Sequence, residues 1–277
     1  MPRSTLVRAL ALSCHPVPSL AVTALAAGLS ALAGLTPGRG ALVTVAVLTG
    51  QLSIGWSNDY LDIERDQAVH RSDKPLAAGA VAPRVAGVAA LVALTLTVTF
   101  SAALGWPGGA AQLVTVLCGW LYNLGLKATA LSWLPYAVAF GMLPAVATLS
   151  DSPPGWPAPW ALAAGALLGV AAHLANVLPD LLDDAATGVR GMPHRLGPRA
   201  TALAGAGILL AASAVILFGP GGAPGPWRWA AFVAALVVTG TAAASAYHDP
   251  SSQRFFRATI LIAAMDLLFF TLSGTRL

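Results

Sequence analysis

Charge is what this sequence has least of. Only 9% of its 277 residues are Asp, Glu, Lys or Arg, against roughly a quarter in an average soluble domain, which excludes a water-facing globular surface over most of the chain. Cysteine is nearly absent. Cys14 and Cys118 sit in apolar stretches with neither CxxC spacing nor a histidine at ligand spacing, which excludes a disulfide framework and a zinc site of ordinary pattern. The net charge of +4 comes from lysines and arginines scattered between apolar runs, and without a basic stripe there is no nucleic-acid surface. What is abundant is apolar side chains, 57% of the chain. Together these features define an integral membrane protein.

A run of about 17 to 25 apolar residues crosses a bilayer as a helix. Nine such runs occur, at about 18–36, 41–60, 83–105, 109–126, 132–150, 158–180, 199–219, 227–247 and 256–274. The predicted fold is all-α: a single polytopic membrane domain over 1–277, a bundle of about nine transmembrane helices around a cavity open to the cytoplasmic side. Four breaks, TPGRG, GWPGG, DSPPGWPAP and GPGGAPGPW, are short, nearly uncharged and rich in residues that do not extend a helix. The N-terminal stretch, with two arginines before small apolar residues, also fits a cleavable signal peptide. An uncleaved first span agrees better with the many runs that follow.

The alternate breaks hold the charge. The N-terminus and the loops after spans 2, 4, 6 and 8 carry 12 of the 15 Lys and Arg residues, which puts those segments in the cytoplasm and the C-terminus outside. Arg39, Arg228 and Arg276 are the exceptions. Eight of the eleven acids lie in two segments: Asp59, Asp62, Glu64, Asp66 and Asp73 after span 2, and Asp180, Asp183 and Asp184 after span 6.

Those segments share a pattern. In SNDYLDIERDQ, Asn58, Asp62 and Asp66 are four apart, and in NVLPDLLDDAATG the same spacing recurs as Asn176, Asp180 and Asp184. The domain is therefore read as two related halves, carrying acidic motifs at 58–66 and 176–184. On an α-helix, residues at i, i+4 and i+8 share one face with a drift of about 40° per step, so each copy presents an amide and two carboxylates in a stripe. An acid at mid-membrane costs roughly 2.5 to 3.5 kcal/mol, less near the interface, and clustered acids repel one another, so a cation must offset them. Magnesium typically binds one or two carboxylates together with substrate phosphates. A solvated loop paired with Arg65, Arg71 or Lys74 would account for one copy; identical spacing at the ends of two spans points to metal and diphosphate.

With these motifs the chain resembles the UbiA superfamily of intramembrane prenyltransferases, which includes UbiA-type terpene cyclases. The resemblance covers nearly the whole sequence. The family's NDxxDxxxD is matched by Asn58, Asp59, Asp62 and Asp66, and its second DxxxD by Asp180 and Asp184. LYNLGLK supplies the tyrosine and lysine, Tyr122 and Lys127, one residue further apart than the family's YxxxK. Val177 stands where many relatives carry another aspartate, while Asp183 adds an acid beside Asp184.

The resemblance implies Mg2+ held by Asn58, Asp59, Asp62, Asp66, Asn176, Asp180 and Asp184, with Asp62, Asp66, Asp180 and Asp184 as the catalytic acids. It implies diphosphate contacts from Arg71, Lys74, Tyr122, Lys127 and Arg195. The implied substrate is an isoprenyl diphosphate, ionised to an allylic cation; Trp56, Trp120, Tyr122, Trp133, Tyr136 and Phe140 are near enough to the helix ends to face that cation. An aromatic or lipid acceptor attacks it in the transferase, and the substrate's own double bonds do so in the cyclase. His173, Asn176 and Asp59 are candidates for orienting an acceptor, and the roles of His194 and Asp266 stay open. A transporter would instead place sparse charges at the midplane of broken spans, and a scaffold leaves the repeated acids unexplained.

Overall fold

A computed structural model describes residues 3–71 and 74–272; Asp73 and Arg276 lie outside the described residues. Every regular element among them is helical, with no strand. They are α1 (Arg3–Leu12), α2 (Pro16–Leu32), α3 (Pro37–Leu61), α4 (Ile63–Ala68), α5 (Pro83–Ala103), α6 (Trp106–Asn123) and α7 (Leu134–Thr148), followed by α8 (Pro159–Val177), α9 (Leu181–Ala186), α10 (Met192–Leu196), α11 (Pro198–Phe218), α12 (Pro226–His248) and α13 (Arg254–Leu272). The apolar runs fall on α2, α3, α5 to α8 and α11 to α13. By length and hydropathy five segments are able to cross a membrane: α3, α5, α11, α12 and the stretch Pro159–Ala186 that contains α8 and α9. A sixth is the α1–α2 pair, bent by 64°.

Proline explains where these helices begin. α2, α3, α5, α6, α7, α8, α11 and α12 each have one in the first turn, where its missing N–H costs no helical hydrogen bond and its fixed φ favours the helix. The residues that end one span therefore start the next.

Consecutive long helices pack side by side from α2 to α13, with α1 and the short α4, α9 and α10 set at the loops, and α13 returns to contact α2 and α8. The ring is thus closed around an interior. α7 and α8 approach most closely through Gly165 and Gly169: a Cβ on Gly165 would lie 2.5 Å from the Phe140 carbonyl oxygen, and one on Gly169 would lie 2.3 Å from that of Tyr136. Small residues four apart let two helix backbones meet where apolar lipid gives no drive for association. At the end of the bundle away from the acidic segments, Arg39 donates to the carbonyls of Ser150 (2.6 Å), Ala103 (3.1 Å) and Leu104. It satisfies orphan C=O groups where α5 and α7 finish, a structural use for one of the three basic residues outside the charge-rich breaks.

Candidate active site

A cavity of about 430 Å³ lies between α2, α3, α6, α7, α8 and α13. Its acid-proximal end presents His15, Asn58, Tyr122, Asn123 and Asn176, and its depth is mostly alanine, leucine and Phe140. The polar groups therefore form a rim over an apolar interior.

At that rim the two acidic segments meet. Arg71 Nη1 lies 3.1 Å from Asp180 Oδ1, bridging the loop after the first motif to the second motif across 109 positions of sequence. Tyr122, between them, is within electrostatic reach of Asp62 and Asp184. Each motif falls where one helix hands over to the next. α3 stops at Leu61 and α4 begins at Ile63, with Asp62 at the joint (φ −93°, ψ 0°). In the second copy Pro179 sits in a 3₁₀ turn, Leu178–Asp180, between α8 and α9, because proline cannot supply the N–H that would continue α8. Across the first joint the backbone keeps helical i→i+4 hydrogen bonds, Asp62 N–H to the Asn58 carbonyl at 3.0 Å and Asp66 N–H to the Asp62 carbonyl at 2.8 Å, and Asn58 and Asp62 contact the same Lys127 ammonium.

The first-motif acids are buried and each has cationic partners. Asp59, 1% exposed, is held by His15 Nε2 at 2.8 Å and Lys74 Nζ at 3.3 Å. Asp62 takes Lys127 Nζ at 2.5 and 2.6 Å and Arg65 Nη2 at 2.6 Å; Asp66 takes Lys74 at 2.8 Å. Burial alone would lower the pKa of Lys74, but the charges of Asp59, Asp66 and Asp62 outweigh it and hold the pKa above the ordinary lysine value. Lys127 goes the other way: burial dominates, Asp62 only partly offsets it, and Arg65 adds repulsion, so its pKa is lowered. In the second motif Asp180 and Asp184 are only partly covered, and Asp184 Oδ2 is 3.5 Å from His194 Nε2.

Most of the predicted site residues thus gather at one mouth. Arg195 does not: it is exposed on α10 and donates to the Arg190 carbonyl at 3.2 Å. Trp56 and Trp120 are braces, their indole N–H groups donating to the Leu10 carbonyl and the Ser53 hydroxyl, whereas Tyr122, Tyr136 and Phe140 line the cavity. Tyr122 and Tyr136 meet edge to face at 5.2 Å, and His173 stands behind them, 5.7 and 5.0 Å from their rings. His173 is held through Ser132 Oγ at 3.0 Å, which also accepts the Met192 N–H at 2.9 Å. Among the described residues no three His, Cys, Asp or Glu side chains converge as a ready-made metal cage.

Sequence reasoning named Arg65 among the cations near the first motif but passed over His15. His15 was out of reach because its place depends on packing. It sits at the α1–α2 bend with a left-handed backbone (φ 53°), and the bend seats against α3 because a Cβ on Gly55 would lie 2.3 Å from the Cys14 carbonyl oxygen. Arg65 did carry a signal, three residues after Asp62 in a helical segment.

A closed ring of apolar helices around an interior cavity with a polar rim defines an integral, multi-pass, all-helical membrane protein. The sequence profile of the UbiA prenyltransferase family matches residues 19–270, and the chain belongs to that family. Its fold is similar to a UbiA homologue from Archaeoglobus fulgidus bound to GPP and Mg2+ (TM-score 0.74, 15% identity, 95% of this chain and 98% of that one). It is equally similar to the apo structure of a UbiA homologue from Aeropyrum pernix K1 (TM-score 0.75, 17% identity, 92% and 97%). In sequence it is 34% identical over 138 residues to a 4-hydroxybenzoate octaprenyltransferase of Ralstonia nicotianae, an alignment spanning 48% of this chain and 46% of that relative.

Proposed function

We propose that this protein is a Mg2+-dependent intramembrane prenyltransferase that ionises an isoprenyl diphosphate and transfers the prenyl group to an aromatic or lipid acceptor. The observation that carries the reading is the contact of Arg71 with Asp180, which brings two acidic segments together over one apolar cavity. An amphiphile with an anionic head and a hydrocarbon tail suits that division of polarity. The A. fulgidus homologue's GPP and Mg2+ and the R. nicotianae relative's name support the same substrate classes. In this reading all nine long helices cross the membrane, the two motif-bearing halves are related, and the rim faces the cytoplasm with the arginine-rich loops.

The donor set fits magnesium. Asn58, Asp62, Asp66, Asn176, Asp180 and Asp184 offer only hard oxygen ligands, and a site that uses one or two carboxylates per ion with substrate phosphates needs no three-acid cage. Five rim acids in the ion pairs described (Asp59, Asp62, Asp66, Asp180, Asp184) face four permanent cations (Arg65, Arg71, Lys74, Lys127). A diphosphate adds about three more negative charges, which that balance does not accommodate without divalent cations. When bound, the metal supplies Lewis-acid stabilisation of the leaving diphosphate.

The chain's own residues do the rest. Asp59 is set apart from the ligands: fully buried, it holds His15 in place and shares Lys74 with Asp66. Lys127, Lys74 and Arg71 are positioned to move from carboxylate to phosphate oxygens, Arg71 with paired planar donors and the lysines as point charges. The C1–O bond breaks with both electrons leaving on oxygen, and the apolar walls keep water from the allylic cation. Tyr122, Tyr136 and Phe140 present π faces to that positive charge. The acceptor's electron pair forms the new bond to C1, and its proton leaves to solvent at the rim.

The test incubates purified protein with Mg2+ and prenyl diphosphates of increasing length, with and without 4-hydroxybenzoate or a lipid alcohol, following diphosphate release and products. Acceptor-dependent release is expected. Cyclic terpene formed without acceptor would replace transfer by cyclisation, and release that persists with chelator would overturn the metal-assisted ionisation.

A further inference from the structure

Two glutamines lie in the long apolar helices, and their surroundings treat them differently. Gln112 of α6 is 1% exposed and engaged at both ends of its amide. Its Nε2 donates to the Ala46 carbonyl at 3.1 Å, and its Oε1 accepts from the Thr115 hydroxyl at 3.2 Å, so it braces α6 against α3. Gln51 of α3 has no such side-chain partner among the described residues, and it lines the large cavity. Helical period turns it there: Gln51, Ile54, Gly55 and Asn58 all line that cavity, and positions i, i+3, i+4 and i+7 share one helix face.

Gln51 stands two helical turns deeper than Asn58, about 10 Å along α3. An amide facing an apolar interior without a protein partner is costly, and polar groups kept inside a membrane bundle mark ligand sites. The small hydroxyls of the same wall are already committed. Ser19, Thr115 and Thr259 donate to the carbonyls of Cys14 (2.8 Å), Gln112 (2.8 Å) and Phe255 (3.0 Å). Among the described residues the lining contains no Asp, Glu, Lys or Arg. Any positive charge on His15 is matched by Asp59 at 2.8 Å, and Arg65, Arg71, Lys74 and Lys127 stand against the acids of the rim. A carboxylate on an acceptor would enter this space without a counter-ion, at a desolvation cost that no neighbour returns. A neutral carbonyl, amide or hydroxyl meets in Gln51 a group that both donates and accepts.

We propose that Gln51 is a specificity-determining residue that hydrogen-bonds the acceptor, and that the acceptor is an uncharged phenol rather than an anionic one. The assignment rests on the prenyl-transfer reading, and binding and turnover separate the two. The probes are 4-hydroxybenzamide and 4-hydroxybenzoate, nearly equal in shape and different in charge. Each is titrated into the full-length protein and its Gln51→Leu and Gln51→Lys variants, with Mg2+ and inorganic diphosphate present to fill the rim. The wild type is expected to bind the amide at least about tenfold more tightly than the carboxylate. Gln51→Leu lowers affinity for the amide about tenfold and leaves the carboxylate where it was. Gln51→Lys supplies the missing counter-ion and reverses the preference, an outcome that a merely structural glutamine does not produce.

Each result is a ratio between two probes on one protein, so partial loss of folded material cancels; if Gln51→Lys does not fold, Gln51→Leu and the wild-type ratio decide. A wild type that binds the carboxylate as tightly as the amide overturns the proposal, as does one that binds neither probe or a ratio unchanged in the folded variants. Diphosphate release from prenyl donors together with any of those results removes the role of Gln51 and keeps the prenyltransferase. The expected ratios without release from any donor keep the phenol site and remove the prenyltransferase.

Discussion

Lys127 Nζ lies 2.5 and 2.6 Å from the two carboxylate oxygens of Asp62, although 65 positions separate them. The contact ties the turn after α6 to the joint between α3 and α4, and it puts a cation at the centre of the first acidic motif. Asn58 Oδ1 is 3.4 Å from the same ammonium group. The lysine thus touches two of the residues proposed as metal ligands.

Removing that ammonium exposes how much Asp62 depends on it. Breaking a buried ion pair by deleting one partner commonly costs 3–5 kcal/mol, and Arg65, 2.6 Å from Asp62, keeps part of the compensation. Lys127→Met is expected to destabilise the protein by about 2 kcal/mol, with the double variant Lys127→Met/Asp62→Asn recovering most of it. A double-mutant cycle in thermal unfolding checks this, and additive losses would show the contact to be energetically idle.

Asp62→Ala and Asp180→Ala each remove a proposed metal ligand from a different segment. Both are expected to lower kcat by at least about a hundredfold, the scale for losing an electrostatic stabiliser of developing charge. Chelation of the wild type should abolish turnover and added Mg2+ should restore it, measured as diphosphate release. Full activity in either variant would remove that segment from the reaction.

The bend that carries His15 depends on Gly55. Gly55→Ala places a methyl group against the Cys14 carbonyl, which forces α1–α2 away from α3 and pulls His15 off Asp59. A loss of about 1–3 kcal/mol is expected from the overpacking, seen as a lower Tm. His15→Ala tests the second half of that statement separately, leaving the buried Asp59 with Lys74; a smaller loss of about 1–2 kcal/mol is expected, partly recovered by His15→Gln.

Gly169 decides how close α7 comes to α8. Gly169→Leu meets the Tyr136 backbone and Phe140 side chain, so the aromatic wall of the cavity should shift with the helix pair. The expected outcome is a protein that still inserts but unfolds at lower temperature and releases prenyl alcohol to water in place of transferred product. An unchanged Tm and product profile would mean that the two helices tolerate a wider spacing.

Much of this protein was legible from particular residues. Low charge and long apolar runs specify membrane helices whatever their neighbours, because a bilayer leaves the backbone no other partner than itself. Asn58, Asp62, Asp66, Asn176, Asp180 and Asp184 declared themselves by a spacing repeated in two places, and charge placed in such a chain demands compensation wherever it ends up. Those conclusions rest on solvent and local chemistry, so sequence alone determined them.

Tertiary structure decided what depends on distance between remote segments. Helical period places each acid set at the end of a long helix, where the helix joints at Asp62 and Pro179 lie, but it does not say which remote segments come to meet them. Which cation serves which acid, His15 for Asp59 or Arg71 for Asp180, follows from how α1, α3 and α8 pack. Likewise Asp266 was a lone acid in an apolar run until packing against α11 gave it the Ser213 hydroxyl as a partner. Nine similar apolar segments carry little in their own sequences to say which faces meet. Backbone approach at small residues such as Gly55, Gly165 and Gly169 sets those meetings, and only the packed bundle reveals what each approach brings together.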